Sequence, residues 1–166
     1  MKCSANEVMT LAAKAARGAG APPAQAADFG VAALRHLQAG REFDMLIDAL
    51  KALPSGPVIA LPLVLMQILE NSTDGIAEGG LEPGSNATLI QSYLDAQPFE
   101  TQLENQAESF HITLFPTKLK AAPLMPRVDA PDDLLASLQS YAARILVPES
   151  DASRLSGAGA GLTDND

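Results

Sequence analysis

From Thr88 onward the hydrophobic period of this chain changes from that of a helix to that of a strand. Phe99, Thr101 and Leu103 alternate with Glu100, Gln102 and Glu104, and Phe110, Ile112 and Leu114 alternate with His111 and Thr113. Successive side chains of a strand point to opposite faces, so this alternation predicts half-buried strands with one apolar and one wet face. Thr88–Leu94 also has strand composition, and the short polar connections predict a three-stranded antiparallel meander. The Glu100, Gln102 and Glu104 face should be solvated, which leaves the opposite face to be covered by helices.

The helices precede it. Ser4-Ala-Asn-Glu7 is a capping box, followed by Val8, Leu11, Ala12 and Ala15 at helical spacing, with Gly18 placed to end the helix in the left-handed conformation. Pro23 suits the first position of a second helix that runs to about Ala39 and closes at Gly40, with Ala27, Val31, Leu34 and Leu37 on its apolar side. A third helix from about Arg41 carries Phe43, Leu46, Ile47, Leu50 and Leu53, and Pro54-Ser-Gly-Pro57 stops it. Over Val58–Asn71 the proline rule favours a buried strand, Val58–Leu61, then a helix starting at Pro62. Ile76–Ala87 and Pro116–Pro131 read as loops. Pro131-Asp-Asp133 opens a last helix with acids at the positive end of its dipole and Leu134, Leu135, Leu138, Tyr141, Ala142 and Ile145 as its stripe. The expected fold is α+β: an N-terminal three-helix unit and a C-terminal helix packed on a small antiparallel sheet, in a single domain over residues 1–166.

Aromatic residues are 4% of the chain and Trp is absent, so the core must be built from Leu, Ile, Val and Ala, with Ala-rich helices in close approach. The formal net charge of -9 opposes nucleic acid and anionic membranes, both of which need clustered cations. Cys3 is the single cysteine, which excludes an intramolecular disulfide and a thiolate zinc site; at position three it is expected to fray. The first residues hold no apolar signal-peptide run and no stretch is long enough to span a bilayer, so a cytoplasmic protein is expected.

The stretch that looks most like a site is the C-terminal one, from Ser150 to Asp166. Gly157-Ala-Gly-Ala-Gly161 resembles loops that offer backbone N–H groups to anions. No helix follows it and no Gly-Lys-Ser/Thr is present, so it is not a phosphate loop of the usual kind. Arg154 could pair with a ligand carboxylate while the amides of Gly157, Gly159 and Gly161 bind an oxyanion, with Ser153 and Asp164 alongside. Asp164-Asn-Asp166 lacks the loop that a calcium site needs. Arg17, at the end of helix one, suits the helix dipole and could also face that pocket. His36 and His111 each border core positions, where a histidine is more often hydrogen-bonded structure than a base. No Gly-x-Ser-x-Gly, His-Glu-x-x-His or dinucleotide fingerprint occurs, and no metal or cofactor is expected.

Ser4-Ala-Asn-Glu7, Ala15-Ala-Arg-Gly-Ala-Gly20 and the run Pro148-x-Ser-x-x-Ser-Arg-x-x-Gly-Ala-Gly-Ala-Gly-Leu-Thr-Asp-Asn-Asp166 resemble a family of uncharacterised bacterial proteins grouped as a domain of unknown function. That likeness implies that both ends belong to the folded domain and implies no activity. The first three helices are more loosely similar to the N-terminal helices of type-two malate and lactate dehydrogenases. Those enzymes carry Ser-His-Gly after the glycine corresponding to Gly40, where this chain has Arg-Glu-Phe-Asp-Met, so the catalytic histidine has no carrier.

The function expected is therefore a non-catalytic accessory or small-anion/metabolite-binding protein, its ligand near Arg17, Ser153, Arg154, Gly157, Gly159, Gly161 and Asp164. One alternative is a hydrolase or amidase with Ser150 or Ser153 as nucleophile and His36 or an acid as base. Another is a structural interaction protein, able to form oligomers, that exposes Val58–Leu69.

Overall fold

The structure is a computed structural model and describes residues 1–81, 86–106, 109–121 and 127–145. The Ser4 capping box forms as expected: Ser4 Oγ accepts from the Glu7 amide at 3.2 Å and Glu7 Oε2 from the Ser4 amide at 2.6 Å. It opens helix α1, Ala5–Gly18. The helix closes two residues later than expected. Ala21 N donates to Ala16 O and Gly20 N to Arg17 O, a Schellman closure in which Gly20, at φ +108°, is the left-handed residue. Gly18 is glycine for another reason, since a Cβ there would lie 1.9 Å from the Tyr141 carbonyl oxygen.

Helix α2, Pro23–Gln38, begins on Pro23 and closes at Gly40 (φ +66°), where Arg41 N donates to His36 O. Its buried side is Ala26, Phe29, Ala32, Ala33 and Leu34; Ala27 is exposed. Small residues let α1 and α2 approach closely, and a Cβ at Gly30 would be 2.6 Å from the Met9 carbonyl oxygen. Helix α3 is shorter than expected, Asp44–Lys51.

Three expectations fail in the middle of the chain. The Val58–Leu61 strand does not exist: helix α4, Pro57–Glu70, runs through it with Pro62 inside. Pro62 costs the hydrogen bond to the Val58 carbonyl, but Val58, Leu61, Leu65 and Ile68 share one buried stripe that holds both halves in one helix. The Ile76–Ala87 loop contains a strand, β2, Ala77–Leu81. Glycine serves packing there, because a Cβ at Gly79 would lie 2.5 Å from Ile68 Cγ1. Thr88–Leu94 is helical: α5, Ala87–Asp95, starts where Asn86 Oδ1 accepts from the Leu89 amide, and buries Leu89, Ile90, Tyr93 and Leu94 at helical spacing.

Strands β3, Phe99–Gln106, and β4, Ser109–Leu119, form the expected hairpin, with Glu100, Gln102 and Glu104 exposed. The sheet order is β2-β4-β3, both pairs antiparallel. β4 continues through Pro116, inside the region expected to be a loop. The register jumps there, Glu100 facing Phe115 and Phe99 facing Leu119, so Pro116 sits in an irregularity where no ladder N–H is demanded. A two-residue strand β1, Lys2–Cys3, pairs with β5, Val128–Asp129, and buries Cys3 instead of letting it fray.

Helix α6, Asp132–Ala142, runs into a 3-10 turn, Ala143–Ile145, and lies against α1. Helices α4 and α5 are the ones that meet the sheet, while α2 joins α1 to α5. The fold is α+β. Among the described residues no helix is long and apolar enough to cross a membrane.

Candidate functional site

A side-chain hydrogen-bond network gathers around the C-terminal half of α5 and the turn that follows it. Burial of Leu89, Ile90, Tyr93 and Leu94 directs Ser92 toward α2, where it meets His36; both are fully buried. Ser92 Oγ lies 2.9 Å from His36 Nδ1, and His36 Nε2 lies 2.8 Å from the Glu42 carbonyl oxygen. A carbonyl only accepts, so Nε2 carries a proton. Burial, then the Arg41 charge, hold the His36 pKa below its ordinary value despite the Glu42 hydrogen bond that raises it, which favours the neutral ring. In that tautomer Nδ1 is an acceptor, and the one Ser92 hydroxyl proton is shared between it and the Thr88 carbonyl oxygen, also 2.9 Å from Ser92 Oγ. Arg41 donates through Nη1 to Ser92 Oγ at 2.9 Å and through Nη2 to Asp95 Oδ2 at 2.6 Å, and Gln91 Nε2 donates to Asp95 Oδ1 at 2.9 Å. This network ties the α2–α3 turn to α5. It leaves His36 no free nitrogen.

Two clefts flank the same turn. The first, about 410 Å³, is lined by Arg35, Asp95, Ala96, Gln97, Pro98 and Lys120. Lys120 is positioned by its amide, which donates to Pro98 O at 2.8 Å, and its ammonium donates to the Leu94 carbonyl at 3.2 Å, at the negative end of α5. Burial, more than the neighbouring Arg35 charge, draws the Lys120 pKa below the usual lysine value, against the opposing pull of Asp95 and Glu100. Arg35 donates from Nη1 to Gln38 Oε1 at 2.8 Å, whereas its Nε is buried with no hydrogen-bond partner among the described residues. The cleft thus presents two cations, and its one carboxylate, Asp95, is already engaged by Arg41 and Gln91.

The second cleft, about 310 Å³, lies between α2 and α4. Val31, Pro62, Leu65, Met66 and Leu69 give it apolar walls, and Asp28 and Tyr93 add polar groups. The Tyr93 hydroxyl is buried and unpartnered among the described residues. Burial, then the nearby Asp28 charge, push its pKa far above the ordinary phenol value, so it is a neutral donor and acceptor. Burial also raises the Asp28 pKa. A further cavity, about 430 Å³ beside α3 and α4, is largely apolar, and its one carboxylate, Asp48, is paired with Lys51 at 2.9 Å.

Of the residues singled out from sequence, Arg17 is exposed in the last turn of α1. Ser150, Ser153, Arg154, Gly157, Gly159, Gly161 and Asp164 lie outside the described residues. His111 is half-buried on β4, its Nε2 3.9 Å from Glu78 Oε1. No three of the described His, Cys, Asp and Glu residues converge as a metal site. Sequence reading missed Arg35, Lys120, Asp28 and Tyr93. Asp28, Val31 and Arg35 do recur at i, i+3 and i+7 on one side of α2, a mixed polar and apolar stripe that could have marked them. Lys120 carries no such signal. No protein-family model, curated protein or solved structure matches the chain at a significant level.

Proposed function

We propose that this is a non-catalytic, cytoplasmic binding protein for small anionic metabolites, with the anion seated between Arg35 and Lys120. The supporting observation is the convergence of those two cations on one cavity in a chain of net charge -9. An arginine fork suits a carboxylate or phosphate, and the one side-chain partner of Arg35 among the described residues is the neutral Gln38 amide oxygen, so its charge is not matched by a carboxylate there. A bound anion would also relieve the desolvation that depresses Lys120. Calorimetric titration with acetate, succinate, octanoate and phosphate tests this. One or more should bind, Arg35→Ala should weaken that anion about tenfold or more, and salt should weaken it further. A wild-type protein that binds none of them refutes the proposal. Arg17 and the segment with Ser153, Arg154, Gly157, Gly159, Gly161 and Asp164 remain the rival location for the same anion; loss of binding in Arg154→Ala but not in Arg35→Ala would move the site there.

The hydrolase alternative would need a base other than His36, whose ring is buried and hydrogen-bonded on both sides. The interaction-protein alternative has one observation in its favour. Helix α4 has no charged residue before Glu70, yet Leu63 is 39% and Met66 50% exposed. Sedimentation velocity distinguishes it from a purely ligand-binding monomer.

A further inference from the structure

The two clefts lie along one strip of α2. Asp28 and Val31 line the apolar cleft and Arg35 the cationic one, while Ala96, Gln97 and Pro98 line both. At the helical rise, the Asp28 and Arg35 backbones are about 10 Å apart. The strip therefore has a carboxyl group at one end, a cation pair at the other, and Val31, Leu65, Met66 and Leu69 between or beside them. Tyr93, only 2% exposed, also lines that apolar cleft, and its hydroxyl is buried without a hydrogen-bond partner among the described residues.

From this arrangement the geometry points to a linear zwitterion as the ligand, its carboxylate on Arg35 and Lys120, its apolar chain against α4, and its primary ammonium at Asp28 and the Tyr93 hydroxyl. This rests on the anion site proposed above and names the class of molecule that fills it. An α-amino acid carries its two charges too close together to reach both ends. An extended peptide of about three residues spans roughly 10 Å, as does an ω-aminoalkanoate of comparable length, and both share the required chemistry. The charge of an ammonium would oppose the desolvation that raises the Asp28 pKa, and the neutral phenol oxygen would accept one of its N–H groups. A second carboxylate at that end would be repelled, which sets the zwitterion apart from a dicarboxylate.

Calorimetry on the full chain with octanoate, octylamine, ω-aminooctanoate and trialanine tests the inference, using wild type, Asp28→Asn and Arg35→Ala. Asp28 as a residue is largely exposed, and the partial burial of its carboxyl disfavours the charged form, so the neutral asparagine variant should keep the wild-type melting curve. At least one zwitterion should bind wild type about tenfold more tightly than octanoate. Asp28→Asn should erase that advantage without weakening octanoate, and Arg35→Ala should weaken both. The tighter of the two zwitterions separates a peptide from an aminoalkanoate source, and either result supports the class. Octanoate binding as tightly as both zwitterions, with Arg35 dependence kept, overturns the zwitterion and leaves the anion site standing. Binding of octylamine alone, or of no probe and no simple anion, overturns both.

Discussion

Replacing Ser92 with alanine probes the buried junction that positions both clefts. The change removes one hydroxyl from a fully buried site and takes a partner from three groups, each 2.9 Å away: His36 Nδ1, Arg41 Nη1 and the Thr88 carbonyl, the last of which lies in the first turn of α5 and keeps its place in the helix ladder. Losing a neutral hydrogen bond of this kind costs about 1 kcal/mol, and one to a charged donor about 1.5–3 kcal/mol. Alanine returns up to about 0.5 kcal/mol through its better helix propensity in α5. Arg41 keeps its bond to Asp95, so the lower part of the range applies, and the net loss should be about 2–3 kcal/mol. For a chain of 166 residues that corresponds to a fall in melting temperature of roughly 5–10 °C. Urea denaturation followed by circular dichroism measures it, with the exposed Ser55→Ala as a control expected to change stability by less than about 0.5 kcal/mol.

The same network has a pH signature. The folded-state pKa of His36 is depressed, so below the ordinary value of 6.5 the unfolded chain takes up a proton that the folded one refuses. His36 therefore contributes stability above that pH, and the contribution is lost as pH falls from 6.5 toward the folded pKa, by at most about 1.4 kcal/mol per pH unit. Nitrogen-15 spectra of the wild-type imidazole should show the proton on Nε2. A Ser92→Ala protein within about 0.5 kcal/mol of wild type, or a wild-type ring protonated only on Nδ1, would refute the hydrogen-bond assignment.

Gly18→Ala should be destabilising by about 2 kcal/mol despite the gain in helix propensity, because the new Cβ would lie 1.9 Å from the Tyr141 carbonyl oxygen and force α1 and α6 apart; a melting temperature equal to or above wild type would contradict the close contact. If the exposed face of α4 mediates self-association, wild type should sediment as a concentration-dependent oligomer and Met66→Glu as a monomer. A wild-type monomer at every concentration rules that role out.

What the sequence by itself determined is what neighbours in the chain can settle. Ser4 and Glu7 close a ring of hydrogen bonds three residues apart, Pro23 starts α2, and the positive φ at Gly40 ends it. The alternation over Phe99–Leu103 and Phe110–Leu114 likewise fixes a hairpin and its wet face. Tertiary structure decided the rest. Thr88–Leu94 has the composition of a strand, yet the Asn86 cap and a buried stripe made it a helix. Gly79 and Gly80 have the composition of a loop, yet both pair with β4, and Ile68 of α4 fills the space beside Gly79. The Pro62 rule yielded to burial of one continuous apolar stripe, at the cost of a single backbone hydrogen bond. The candidate site belongs wholly to this second group. Arg35 and Lys120 are separated by about half of the chain, and only the packing of α2 on α5, with the β3–β4 hairpin returning past the α5 C-terminus, brings their charges to one cavity.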